Sequence, residues 1–157
     1  MINNEKKELL NTIVPKAILR ALTSSAKHSI TRRVNNLDII KIFDYPFKIG
    51  REARVQYEDG KVIILERHKL DGEEPNNDVY LLDNGEYLQI SREHCTIKEI
   101  DGKLILKDRD SACGTMVNEI MLDIDNSHTL EDGDIITIGS EESEYKYKFV
   151  LLDVNFS

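Results

Sequence analysis

Cysteine is scarce in this chain: Cys95 and Cys113 are the only two in 157 residues. Neither has a His or a second Cys at metal-ligand spacing, so a zinc site and a disulfide framework are not expected, and both thiols are expected to be reduced. Positive charge is also in deficit, since 21 Lys and Arg against 29 Asp and Glu leave a net charge of −8. That balance opposes the counterion release behind most non-specific nucleic-acid affinity, so nucleic acid is not an expected partner. Long apolar runs are missing too. None approaches the ~20 residues a bilayer-spanning helix needs. Met1 to Lys7 lacks the basic start and apolar core of a secretory signal. No membrane partner is therefore expected, and the expected location is cytoplasmic.

Several chemical motifs are absent as well. The chain has no phosphate loop, dinucleotide fingerprint, His-Glu-x-x-His pair or nucleophile elbow, and no cofactor is expected. Asp123 to Ser127 starts like a calcium loop, but His128 stands where the loop needs Gly and Asp134 where it needs Glu. No metal site is expected. Ser111, His94 and Asp108 could be strung together as a triad on paper, but a triad is defined by geometry. The expectation is a protein that is not an enzyme.

What remains is the composition of a soluble globular protein, 40% apolar and 32% charged, long enough to close one core and carry an appendage. In residues 1–36, Leu9, Leu10, Ile13, Val14, Ile18, Leu19 and Leu22 recur at helical spacing around Pro15. This predicts one or two short amphipathic helices, followed by a polar connector through Ser24 to Ser29 and Arg32 to Asn36. From Leu37 the texture changes to short β-rich runs broken by Asp, Gly and Asn, which predicts an all-β domain over 37–153. The runs are 38–43, 47–50, 53–57, 61–66, 79–82, 95–99, 103–107, 116–117, 135–138 and 145–152. Glu58-Asp59-Gly60 and Ile100-Asp101-Gly102 place Gly where tight hairpin turns need positive φ. Tyr145, Tyr147, Phe149 and Leu151 alternate as the inward face of a closing strand.

Four segments then recur in a telling order: Phe47-Lys48-Ile49-Gly50-Arg51, Ile90-Ser91-Arg92-Glu93-His94, Asp108 to Asn118, and Leu130 to Gly139. Together they resemble the forkhead-associated (FHA) family. The resemblance implies an antiparallel β-sandwich of FHA/SMAD type with a short helical N-terminal appendage. It implies a signalling adaptor that binds a phosphothreonine-containing protein or peptide. A phosphothreonine carries close to two negative charges and three acceptor oxygens, so its site needs a cation and short donors on rigid loops. By the same resemblance Arg51 and Ser91 contact the phosphate, with Arg92 beside them. The segment from Ser111 to Asn118, with Ala112 and Cys113, meets the flanking peptide. Gly50, His94, Gly114 and Thr115 support the loops.

Two departures stand out. Relatives commonly carry Asn before the Gly-Thr pair, where its amide holds the peptide backbone, and often a hydroxyl residue one position earlier; this chain has Cys113 and Ala112. A thiol is a poor donor and acceptor, so the clamp is expected to be weaker or supplied elsewhere, for instance by Ser111. The second departure is an inserted hairpin and loop at about 52–75, which brings Arg54 and Arg67 as alternative cations. The alternative reading is a phosphate-independent interaction or self-association module, with homo-oligomers formed through the N-terminal helices. A sharper version has Thr12, Thr23 or Thr31 phosphorylated and bound by a neighbouring copy.

Overall fold

The computed structural model of the chain describes residues 3–31, 37–53, 55–64, 76–123 and 127–152. In order, the elements are α1 (Asn4–Ile13), β1 (Ala17–Ala21), α2 (Ser24–Ser29), β2 (Ile39–Ile42), β3 (Phe47–Arg51), β4 (Val55–Glu58) and β5 (Lys61–Ile64). They continue with β6 (Val79–Leu81), β7 (Cys95–Ile100), β8 (Lys103–Asp108), β9 (Thr115–Val117), β10 (Ile120–Met121), β11 (Ser127–Thr129), β12 (Ile135–Ile138) and β13 (Lys146–Leu151). Two sheets face each other, one ordered β10-β9-β12-β13-β1-β2 and the other β11-β8-β7-β3-β6. Among the described residues, β4 and β5 pair only with each other, as the hairpin expected within the insertion. The architecture is the all-β sandwich the sequence implied, with one exception to its antiparallel character: β3 and β6 run parallel.

Alternation builds the core. Ile49, Ile97 and Leu106 from one sheet, and Leu19, Ile136, Tyr147 and Phe149 from the other, are at most 1% exposed. Each such side chain contributes about 1.5–3 kcal/mol on leaving water. Tyr145, Tyr147 and Phe149 face inward as their alternation predicted. At the two hairpin turns Asp59-Gly60 and Asp101-Gly102 have φ of 50° and 75°, and 52° and 76°, the double left-handed geometry of a type I′ turn.

The N-terminal stretch departs from its helical reading. α1 ends before Pro15, capped at its start by Asn3, whose Oδ1 accepts from Lys6 N–H. Residues 17–21 are then a strand, not a second helix. β1 pairs with β13 on one side and β2 on the other, burying Ala17, Leu19 and Ala21 while Arg20 faces out. A period of two and a period of 3.6 are hard to tell apart over five residues. Two waiting sheet edges decide between them. The polar stretch 24–29, read as connector, is the short helix α2, capped by the Thr23 hydroxyl, which accepts from Ala26 N–H. Thr23 also donates to Glu144 O, and Thr12 donates to Glu8 O within α1. No helix among the described residues is long and apolar enough to cross a membrane.

Candidate functional site

Three segments meet at one end of the sandwich: the end of β3 at Arg51, the loop between β6 and β7, and the loop between β8 and β9. Arg51 is tied to the second segment twice, its N–H donating to Ser91 O at 2.9 Å and its Nε to Ile90 O at 2.9 Å. Holding Nε orients the guanidinium and leaves its two terminal amino groups without an acceptor among the described residues. Ser91 in turn joins the third segment, its Oγ accepting from Ala112 N–H at 2.9 Å. A hydroxyl that accepts keeps its own proton to donate. Arg92 follows on the same loop with an exposed side chain.

His94 locks this arrangement from beneath. Its Nδ1 accepts from Ser91 N–H at 2.9 Å and its Nε2 lies 2.7 Å from Gly114 O. A ring that accepts at Nδ1 is neutral, so Nε2 carries the proton and donates. Burial lowers its pKa, against the raising influence of the Gly114 carbonyl and of Asp108 and Asp83. The histidine is therefore neutral and bridges the second and third segments.

Gly50 is held by close approach. A Cβ there would stand 2.0 Å from Arg92 O and 2.4 Å from the Asn77 side chain. Asn77 fills that space, donating from Nδ2 to Arg92 O at 2.7 Å and accepting from Arg109 Nη1 at 2.7 Å. Gly114 has φ of 86°, and a Cβ would meet Met121 Sδ at 2.5 Å.

The third segment is organised by Asp108. Its Oδ1 accepts from the Ser111 hydroxyl at 2.5 Å and from the Thr115 hydroxyl at 2.7 Å, while Oδ2 accepts from Ser111 N–H at 2.9 Å. Burial pushes the Asp108 carboxyl up, but these hydrogen bonds and the nearby His94 together bring it below the usual carboxylate range. Ser111 also accepts from Gly114 N–H at 3.0 Å. Ser111, expected to compensate for Ala112 at the ligand, thus has its hydroxyl proton committed to Asp108. The same geometry removes the paper triad. Asp108 bonds the serine directly, and both nitrogens of His94 are occupied by backbone groups, so the His94 imidazole does not stand ready to activate the hydroxyl.

Asn118, also expected to face the peptide, points elsewhere. It occupies the β9–β10 turn at φ 51°, donating from Nδ2 to Asp134 Oδ1 at 3.0 Å and accepting from Ile135 N–H at 3.0 Å. Asp134, the last position of the calcium-like run, accepts in addition from Glu131 N–H at 2.8 Å and serves this turn. Ala112 is exposed and Cys113 half-buried at the tip of the third segment, where Cys113 Sγ makes a weak contact of 3.5 Å with Leu88 O. Arg54 and Arg67, the alternative cations, lie outside the described residues.

Two supports went unread in the sequence. Asp83, 7% exposed, gathers the β6–β7 loop: Oδ1 accepts from Gly85 N–H and Tyr145 OH, and Oδ2 from Gln89 N–H and Ile90 N–H. Asp83-Asn84-Gly85 is a recognisable turn signal, in which an Asp bonds backbone two residues on. The Asn77–Arg109 pair had no local signal, because its members are far apart in the chain.

Comparison with known proteins points the same way. A search of curated protein sequences returns no matching relative. Among solved structures, the chain is similar to the FHA domain of an Arabidopsis thaliana protein, at 20% identity, 93% coverage of both chains and a TM-score of 0.54. It is similar to full-length yeast Pml1p, at 18% identity, covering 85% of this chain and 80% of that one, with a TM-score of 0.53. It is similar also to Mycobacterium tuberculosis EmbR, solved with a low-affinity phosphopeptide, at 17% identity, covering 96% of this chain and 30% of that one, with a TM-score of 0.53. The family model for the FHA domain matches residues 47–139. That span runs from the strand that ends in Arg51 to the glycine that closes β12, and the chain belongs to the FHA domain family, whose members are generally phosphopeptide-binding interaction modules.

Proposed function

We propose that this chain is a phosphothreonine-dependent adaptor whose phosphate contacts are the Arg51 guanidinium, the Ser91 hydroxyl and the Arg92 guanidinium. One observation carries the reading: Arg51 and Ser91 are braced to one another, yet the guanidinium keeps amino groups with no partner among the described residues and the hydroxyl keeps its proton. In a protein of net charge −8, such an arrangement suits one local dianion better than a general polyanion. Ala112 and Cys113 stand next to Ser91 and would meet the peptide on either side of the phosphate.

The test is calorimetry with matched phosphorylated and unphosphorylated threonine peptides selected from a phosphopeptide library. Binding that requires the phosphate, and a loss of roughly a hundredfold or more in Arg51→Ala, supports the reading. Equal affinity for the two peptides, or wild-type binding by Arg51→Ala, overturns it.

A second reading, self-association through α1, draws on Leu9 and Ile13, which are 54% and 65% exposed on a helix that buries nothing. Sedimentation equilibrium on the full chain tests it, a monomer at all concentrations being the contrary result.

A further inference from the structure

The outer face of the five-stranded sheet carries a feature that the loop site does not use. Ile49, Ile97 and Leu106 point into the core, so alternation sends Lys48, Lys98 and Lys107 to the outer face, where Thr96 lies 5% exposed between the first and last of them. Lys48 lies opposite Thr96 on β7, and Thr96 opposite Lys107 on β8, which sets two ammonium groups on either side of one small residue. Lys98 follows two residues along. Among the described residues, none of these three lysines makes an ion pair or a side-chain hydrogen bond. They line a half-open groove of about 1030 Å³. That is as large as the upper end of small-molecule sites, about 300–1,000 Å³.

We propose that this groove is a second contact surface, taking an acidic, extended segment of the same polypeptide whose phosphothreonine occupies the loops above. The proposal rests on the phosphothreonine reading for its first contact, and three observations support it. Charge is one: clustered lysines with no partner among the described residues repel each other, and in a chain with eight more acids than bases they stand out. The acidic groups in the lining lie at its loop end. There Asp108 is occupied by Ser111 and Thr115, and Asp123 has a partner, so among the described residues Asp110 is the one carboxylate of the lining with no such commitment. Continuity is the second. Ala112 and Cys113 line the groove, and Ala112 N–H is the group that bonds Ser91 Oγ, so a peptide seated at Ser91 reaches the lysines across this tip. Shape is the third. The floor is a strand surface, over which an extended chain can lay alternate side chains towards the ammonium groups.

Calorimetry on the full chain tests the proposal with three kinds of peptide: a phosphothreonine peptide with neutral flanks, the same peptide with a run of glutamates on its N-terminal or its C-terminal side, and the unphosphorylated acidic versions. One of the acidic phosphopeptides is expected to bind about five- to tenfold more tightly than the neutral one at low salt, as a few exposed ion pairs acting together allow. The advantage should shrink as salt is raised. It should vanish in a chain carrying Lys48→Gln, Lys98→Gln and Lys107→Gln, which binds the neutral phosphopeptide as the wild type does. No advantage for either acidic phosphopeptide, or an advantage that survives the triple substitution, overturns the proposal. So does a single-stranded oligonucleotide that displaces the acidic segment at comparable concentration. If phosphorylation affects no peptide, the phosphothreonine reading falls, and the groove is judged by the unphosphorylated acidic peptide. That peptide then has to bind the wild type more tightly than the triple variant, and equal binding sinks the groove.

Discussion

Arg51 donates its backbone N–H to Ser91 O and its side-chain Nε to Ile90 O, each at 2.9 Å, so the cation and the hydroxyl segment are held as one unit. The second bond depends on a guanidinium, since an ammonium has no Nε to anchor while its other donors stay free.

Arg51→Lys is therefore expected to lose much of the affinity despite keeping the charge, and Ser91→Ala to weaken phosphopeptide binding by roughly ten- to hundredfold, one charge-assisted hydrogen bond. Titration calorimetry reads both. Near wild-type binding by Arg51→Lys would mean that only net charge matters at this position.

Cys113→Asn is expected to tighten phosphopeptide binding several-fold. The thiol makes only a weak 3.5 Å contact with Leu88 O, whereas an amide supplies a strong donor and acceptor at the tip beside Ser91. Unchanged affinity in the variant would place the peptide-backbone clamp on another residue.

His94 makes stability depend on pH. Its folded pKa lies below the ordinary 6.5, so in the window between the two values the unfolded chain holds a proton that the folded chain refuses. Stability is complete above about pH 6.5 and declines as the pH falls towards the depressed value. Asp108 and Asp134 act in a separate window. Both have folded pKa values below the ordinary 3.8, and their contribution is lost as the pH falls through those values. Thermal melts across this range should show both declines, and His94→Gln should flatten the upper one while lowering stability at neutral pH.

Gly50→Ala is expected to cost about 3 kcal/mol or more, at or beyond the top of the usual range for overpacking. Its Cβ meets the backbone oxygen of Arg92, which cannot move without disturbing Ser91. Chemical denaturation measures the loss. A small loss would require the Asn77 bridge to be dispensable.

Asp83→Ala is expected to loosen the loop that carries Ser91, because three backbone N–H groups and Tyr145 OH lose one shared acceptor. Amide exchange at Gly85, Gln89 and Ile90 should accelerate and phosphopeptide affinity should fall. Slow exchange at all three would show that other contacts hold the loop.

The sequence alone determined the sandwich class and most of its strands, both Asp-Gly hairpin turns and the inward stripe on β13, but not the two- and three-residue strands β10 and β11, which are too short to carry a pattern. These features are written in alternation and turn chemistry, which act between near neighbours. The ordered motifs also single out Arg51, Ser91 and His94 as candidates. Only the tertiary structure decided that residues 17–21 are a strand, since two sheet edges outweigh a weak helical period. It alone assigned Ser111 and Asn118 to loop and turn support, and revealed Asp83 and the Asn77–Arg109 pair. Whether a side chain has a free proton or a free lone pair depends on which distant backbone groups fold against it, and no local pattern carries that information.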